Sequence, residues 1–121
     1  MKMSAWSLAI AALALFGCAT APTRPPSVDV TGNWTGEVAV PRRVAAPVTM
    51  TLRQTGARVT GEVRAIGFPL ASGPVTGWVD GDVFSFSYEN VTGGAKLTVR
   101  SDEMAGTTDA GNRMVVRRHS R

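Results

Sequence analysis

The chain has 121 residues, 44% of them hydrophobic, and a single cysteine; this allows one domain with a modest core and excludes an internal disulfide. Thirteen basic side chains against nine acidic give a formal charge of +4 at pH 7. Such a balance reads either as nucleic-acid affinity or as a mildly cationic, solvated surface.

The first predicted element is a leader. Lys2 supplies a positive start, and Ala5 to Phe16 form an apolar run broken only by Ser7. A membrane-spanning helix needs roughly 20 apolar residues, so this run is too short to remain as one. Leu15-Phe16-Gly17-Cys18 follows and contains the only cysteine. The stretch resembles the lipobox of bacterial lipoproteins. That resemblance implies removal of residues 1–17 as a signal peptide and a lipid, palmitate among its acyl chains, on Cys18. Ordinary cleavage after Ala19-Thr20-Ala21 is the alternative, with Pro22 just beyond the cut. The implied address is a bacterial cell envelope, with the membrane as partner through the Cys18 lipid. Ala19 behind the cysteine resembles the sorting rule for the outer membrane, facing the periplasm. Nucleic acid is not met there. Loss of residues 1–17 removes Lys2 and leaves a side-chain balance of +3, read as a solvated surface.

Residues 18–28 are predicted as a lipidated, extended and disordered tether, because Pro22, Pro25 and Pro26 accompany no apolar periodicity. The domain then runs over 29–121. Val48-Thr49-Met50-Thr51-Leu52, Phe84-Ser85-Phe86-Ser87-Tyr88 and Leu97-Thr98-Val99 alternate apolar with polar, the period of a strand with one buried face. Counting turn to turn predicts eight strands, near 31–40, 47–54, 58–64, 74–80, 83–89, 95–101, 104–108 and 113–119. Asp80-Gly81 between Val79 and Asp82-Val83 predicts a hairpin with a type I′ turn. Thr35-Gly36-Glu37-Val38, Thr60-Gly61-Glu62-Val63 and Thr76-Gly77-Trp78-Val79 share the pattern T-G-x-V, with a fainter copy at Met104-Ala105-Gly106-Thr107. Glycine inside a strand marks a bend or a close backbone approach, and repeated bends let a sheet close on itself. The predicted fold is all-β: a small eight-stranded antiparallel up-and-down barrel, with a small β-sandwich as the alternative.

Thr31-Gly32-Asn33-Trp34 carries a G-x-W at the start of the first strand, and Arg117 and Arg118 lie in the last. This resembles the lipocalin and avidin superfamily of calycin-type barrels. The resemblance implies a barrel floor in which Trp34 closes one end and Arg117 or Arg118 packs over it. In a meander, the turns at 54–57, 80–82 and 101–103 share the end from which the tether leaves, and the other connections share the far end. There, Arg42 and Arg43 form a basic loop beside an apolar one containing Ile66, Phe68 and Leu70. These five are the candidate rim for a ligand or partner. Phe68 and Leu70 either line a mouth or fold down as a plug. Trp78 shares a phase with Glu62 and Glu37 and is predicted to face outward; Tyr88 is predicted to face inward.

No catalytic, cofactor-binding or metal-binding constellation emerges. His119 is the only histidine and lies near the C-terminus, Asp80 and Asp82 are turn residues, and no nucleophile elbow, zinc-helix or phosphate-loop motif is present. The expectation is a monomeric, non-enzymatic interaction or structural module tethered in the envelope, its partner another envelope protein. The alternative is a lipocalin-type carrier of a small apolar or anionic ligand, bound at the mouth distal to the membrane.

Overall fold

Alternation of apolar and polar residues produces eight strands, each with one face turned to a shared interior. A computed structural model describes residues 24–121; the expected signal peptide over 1–17 and the expected lipidation site Cys18 lie outside the described residues. The strands are β1 (Gly32–Val38), β2 (Ala46–Thr55), β3 (Arg58–Ala65), β4 (Gly73–Asp80), β5 (Val83–Tyr88), β6 (Gly94–Arg100), β7 (Glu103–Thr108) and β8 (Arg113–Ser120). A short 3₁₀ turn, Pro69–Ala71, lies between β3 and β4. Each strand pairs antiparallel with the next, and β8 pairs with β1, so the sheet is a closed barrel rather than a sandwich. The architecture is consistent with a calycin-like barrel. The seam between first and last strands sets Trp34 opposite Arg118, Gly36 opposite Val116 and Val38 opposite Met114.

The interior is apolar and the outer wall is not. Trp34, Met50, Leu52, Val59, Val63, Val79, Phe84, Leu97, Val99, Met104 and Val116 are all buried. Their strand neighbours, among them Thr49, Thr51, Glu62, Arg64, Lys96, Thr98 and Arg117, are exposed. Trp78 faces outward with 40% of its surface exposed. A barrel that crosses a bilayer shows the reverse pattern, with an apolar band outside.

The strand glycines explain how so small a barrel closes. A Cβ placed on Gly36, Gly61, Gly77 or Gly106 would collide with a backbone carbonyl oxygen of the adjoining strand: Val115, Thr51, Ser85 and Lys96, respectively. Gly94 meets the Phe86 carbonyl in the same way. Four of these five are the glycines of the T-G-x-V echo. Each lies where the sheet bends sharply inward and two backbones approach more closely than any side chain permits.

The two ends of the barrel are built differently. At one end, β2–β3, β4–β5 and β6–β7 are joined by two-residue turns, and the first central residue of each is left-handed: Gly56 (φ 61), Gly81 (φ 62) and Ser101 (φ 57). In the β4–β5 turn, positive φ is confined to Gly81 and is not shared by Asp82. The turn therefore fits type II′, with glycine at its first centre, and the expected type I′ is corrected. At the other end the connections are longer, spanning 39–45, 66–72, 89–93 and 109–112.

Adding one methyl group at a closure point should force two strands apart. Gly61→Ala is expected to lower unfolding stability by about 1–3 kcal/mol, the usual range for overpacking. Thr60→Ala, one residue away on the outer wall, should change it by less than about 0.5 kcal/mol, as for ordinary surface substitutions. Urea denaturation followed by far-UV circular dichroism distinguishes the two.

Candidate functional site

The end with the short turns is sealed. Trp34 is fully buried, and its indole N–H donates to the Val30 carbonyl at 2.9 Å. The guanidinium carbon of Arg118 sits 4.5 Å from the Trp34 ring centre, a cation–π arrangement. That guanidinium makes four hydrogen bonds. Nη1 donates to the Asp29 and Thr31 carbonyls at 2.8 Å each, Nη2 to the Ser101 carbonyl at 3.3 Å, and Nε to the Asp102 carboxylate at 2.8 Å. Only 6% of the Arg118 side chain is exposed. One residue thus ties β8 to the segment preceding β1 and to the β6–β7 turn. Gly32, the glycine of G-x-W, has φ +139, and a Cβ there would run into the Arg118 side chain and the Ser120 carbonyl. Both its backbone conformation and its space require glycine.

Arg117 does not join this arrangement. Strand alternation sends it to the outer wall, where its side chain is 74% exposed and lies 3.6 Å from Glu103. Arg118 shares the inward phase of Met114 and Val116, so the barrel floor consists of Trp34 and Arg118 alone.

Residues 24–31 complete the seal. Gln54 accepts from the Val30 N–H and donates to the Val28 and Gly56 carbonyls, and Val28 packs against the core. Ser27 N–H donates to the Gly81 carbonyl, and Arg24 binds Asp80 through its backbone N–H, its Nε and its Nη2. Residues 24–28, predicted as free tether, therefore lie along the barrel end. The tether lacks periodicity because these contacts use backbone groups and one salt bridge rather than an apolar stripe. The Thr31 backbone N–H holds the Asp29 carboxyl below the ordinary carboxylate range, its hydroxyl adds to this, and Arg118 contributes less. Asp29 thus stabilises this corner above about pH 4, and that contribution is lost as pH falls through its lowered pKa.

The opposite end is open. A cup of about 220 Å³ is lined mainly by apolar groups, including Val38, Val63, Phe68, Phe86, Tyr88 and Met114. Below it, buried side chains fill the barrel. Phe68 is half-buried against the core and forms part of the wall, so it narrows the cup without filling it. Leu70 belongs to the 3₁₀ turn at this rim. Tyr88 donates its hydroxyl to the Ala71 carbonyl at 2.7 Å and so fastens that turn over the mouth. Burial pushes the Tyr88 phenol above its ordinary pKa.

The remaining rim candidates stand outside the cup. The 39–45 and 66–72 loops do share this end, and Ile66 N–H donates to the Pro47 carbonyl. Arg42, in a left-handed conformation (φ 62), and Arg43 are both exposed, Ile66 is 57% exposed, and none of the three lines the cup. Val44, 91% exposed, projects from the same loop as the arginines. The charged group in the lining is Asp109 instead. Val38, Phe86 and Met114 are lining residues that motif reading passed over. Alternation placed them inward, and their position at the far ends of their strands was the available signal.

Among the described residues, no three His, Cys, Asp or Glu side chains gather as a metal site requires, and no helix is long and apolar enough to cross a membrane. Compared with protein-family models, with curated proteins and with solved structures, the chain matches none.

Two outcomes follow. Trp34→Ala should cost about 3–5 kcal/mol, as other large aromatic truncations do. Arg118→Ala should be clearly destabilising, because it strands the Asp29 and Thr31 carbonyls, while Arg117→Ala should stay within about 0.5 kcal/mol; thermal melts rank the three. Tyr88 is the only tyrosine, so absorbance at the phenolate band reports it alone. Its ionisation midpoint should lie above about 10 in the folded protein and return to about 10 in denaturant. The part of stability linked to Tyr88 is complete below that free value and declines as pH rises through the raised one.

Proposed function

We propose that this chain is a lipoprotein of the bacterial cell envelope, anchored through Cys18, and that its calycin-like barrel is a non-enzymatic binding module. The observation that carries the reading is the cup at one end of an otherwise filled barrel. An apolar cavity of about 150 Å³ suffices to hold benzene, so about 220 Å³ suits a single ring or a short acyl chain. It falls below the roughly 300 Å³ at which pockets for larger metabolites begin. Asp109 in the lining, with Arg42 and Arg43 outside it, favours a neutral apolar group over an anionic one. This weighs for the small-ligand reading over a purely structural module. The lipobox and Ala19 support an outer-membrane address, with the cup turned away from the bilayer into the periplasm.

Ala110 is an exposed residue of the cup wall. Ala110→Trp should therefore occlude the cup without unfolding the barrel. Native mass spectrometry of protein purified from its own host should show a small apolar adduct on the wild type and none on this variant. An adduct on neither protein, with octanol and toluene also failing to bind by titration calorimetry, defeats the ligand reading. For the anchor, Cys18→Ser should move the protein from the carbonate-washed membrane fraction to the soluble one; a variant that remains in the membranes defeats that part.

A further inference from the structure

The outer wall beside the sealed end carries an aromatic and two arginines that the barrel does not use. Trp78 on β4 is 40% exposed although large aromatics elsewhere in the barrel are inside. Arg58, opposite it on β3, holds its guanidinium carbon 5.8 Å from the Trp78 ring centre. Arg53 follows on β2, opposite Thr60, which in turn faces Thr76 on β4. Ser85 flanks Trp78 on the other side. Among the described residues neither Arg53 nor Arg58 has an acidic partner within salt-bridge distance. Acids border the patch on two sides: Asp80, held by Arg24, and Asp82 at the β4–β5 hairpin, and toward the open end Glu62, the next outward residue after Thr60 on β3, with Glu89, which accepts from the Thr76 hydroxyl at 2.7 Å. Between these acids the wall presents two arginines, threonine and serine hydroxyls, and one exposed indole.

The chain leaves the barrel at this spot. Arg24 is fastened to Asp80, two residues beyond Trp78 on the same strand, and Ser27 is fastened to Gly81. From Cys18 to Arg24 is a path of six residues, which spans at most about 20 Å even when fully extended. With residues 24–28 held against the barrel, a lipid on Cys18 cannot let the domain drift far from the bilayer. It keeps the Trp78 wall within reach of the headgroups.

We propose that the Arg53–Arg58–Trp78 wall is a membrane-docking face for anionic lipid, seating the barrel on the bilayer rather than letting it swing on a free tether. The chemistry fits both layers of that surface. Indole rings partition to the headgroup level, and arginines near an anionic leaflet each add to the attraction. Arg58 stacked on Trp78 presents charge and ring together, so a phosphate can be met without separating them. This inference rests on the anchor reading above and adds to it an orientation for the domain.

The test uses the processed, lipidated protein reconstituted into phosphatidylcholine vesicles with and without about one quarter phosphatidylglycerol. Tail-brominated lipids quench only indoles that touch the bilayer. Processing removes Trp6, and Trp34 is buried inside the barrel, so Trp78 is the reporter. About twofold quenching is expected in the anionic vesicles, with the quenched component absent from Trp78→Phe. Arg53→Gln with Arg58→Gln should reduce quenching while the protein still floats with the vesicles. Floating protein with unquenched Trp78 overturns the docking face and leaves the anchor standing. Equal quenching in neutral and anionic vesicles overturns the role of the arginines. A chain whose Cys18 carries no acyl mass overturns the anchor and the docking with it.

Discussion

Everything in this barrel depends on backbones approaching one another more closely than side chains allow. Eight strands of six to ten residues must curve tightly to enclose a core of single side-chain width. Glycine at an inward position of β1, β3, β4 and β7, and Gly94 at the start of β6 in the outward phase, permit that curvature, each with a neighbouring carbonyl where a Cβ would stand. The space they release is taken by larger partners in register: Leu52 beside Gly61, Phe86 beside Gly77, and Leu97 and Met114 beside Gly106. Curvature and packing are thus two results of the same substitution pattern.

Once the wall closes, the difference between the ends follows from turn length. Two-residue turns leave the lower end low enough for residues 24–31 to lie across it, and Arg118 then has backbone carbonyls on which to spend its donors. An arginine so deep would be costly without acceptors for its donors. Here Trp34 takes its face while three carbonyls and Asp102 take its edges. The longer upper loops cannot pack so flatly, and their slack leaves the cup. The sealed end carries the polar ties that close the barrel, and the open end is walled mainly by apolar side chains.

Much of this was written in the alternation of residues. Strand number, order and facing follow from period two, and every strand boundary falls within two residues of the predicted one because the turn residues are local signals. The T-G-x-V echo located four of the five closure points. The phase that buries Met114 and Val116 also selects Arg118 over Arg117. Other features had no local signature. The type of the β4–β5 turn depends on strand twist as much as on Asp80-Gly81. The docking of residues 24–28 is made through backbone groups and Arg24, which no hydrophobic pattern reveals. Arg42 and Arg43 looked suited to a binding rim, yet loops lack the periodicity that would show which way a side chain points, and the acid in the cup wall is Asp109.

The seam between β1 and β8 carries a consequence for how the molecule is made. Its two strands are separated by almost the whole length of the domain, and Arg118 lies on β8, the last of the eight barrel strands to be synthesised. Until residues 113–120 are available, β1 and β7 both present unpaired edges and Trp34 has no cover. A contact of such long range must also overcome a large loop-closure entropy before it is rewarded. The nascent barrel is therefore held open by its own topology until β8 is made. The cost is a window in which a stalled chain that lacks β8 offers two strand edges to its neighbours.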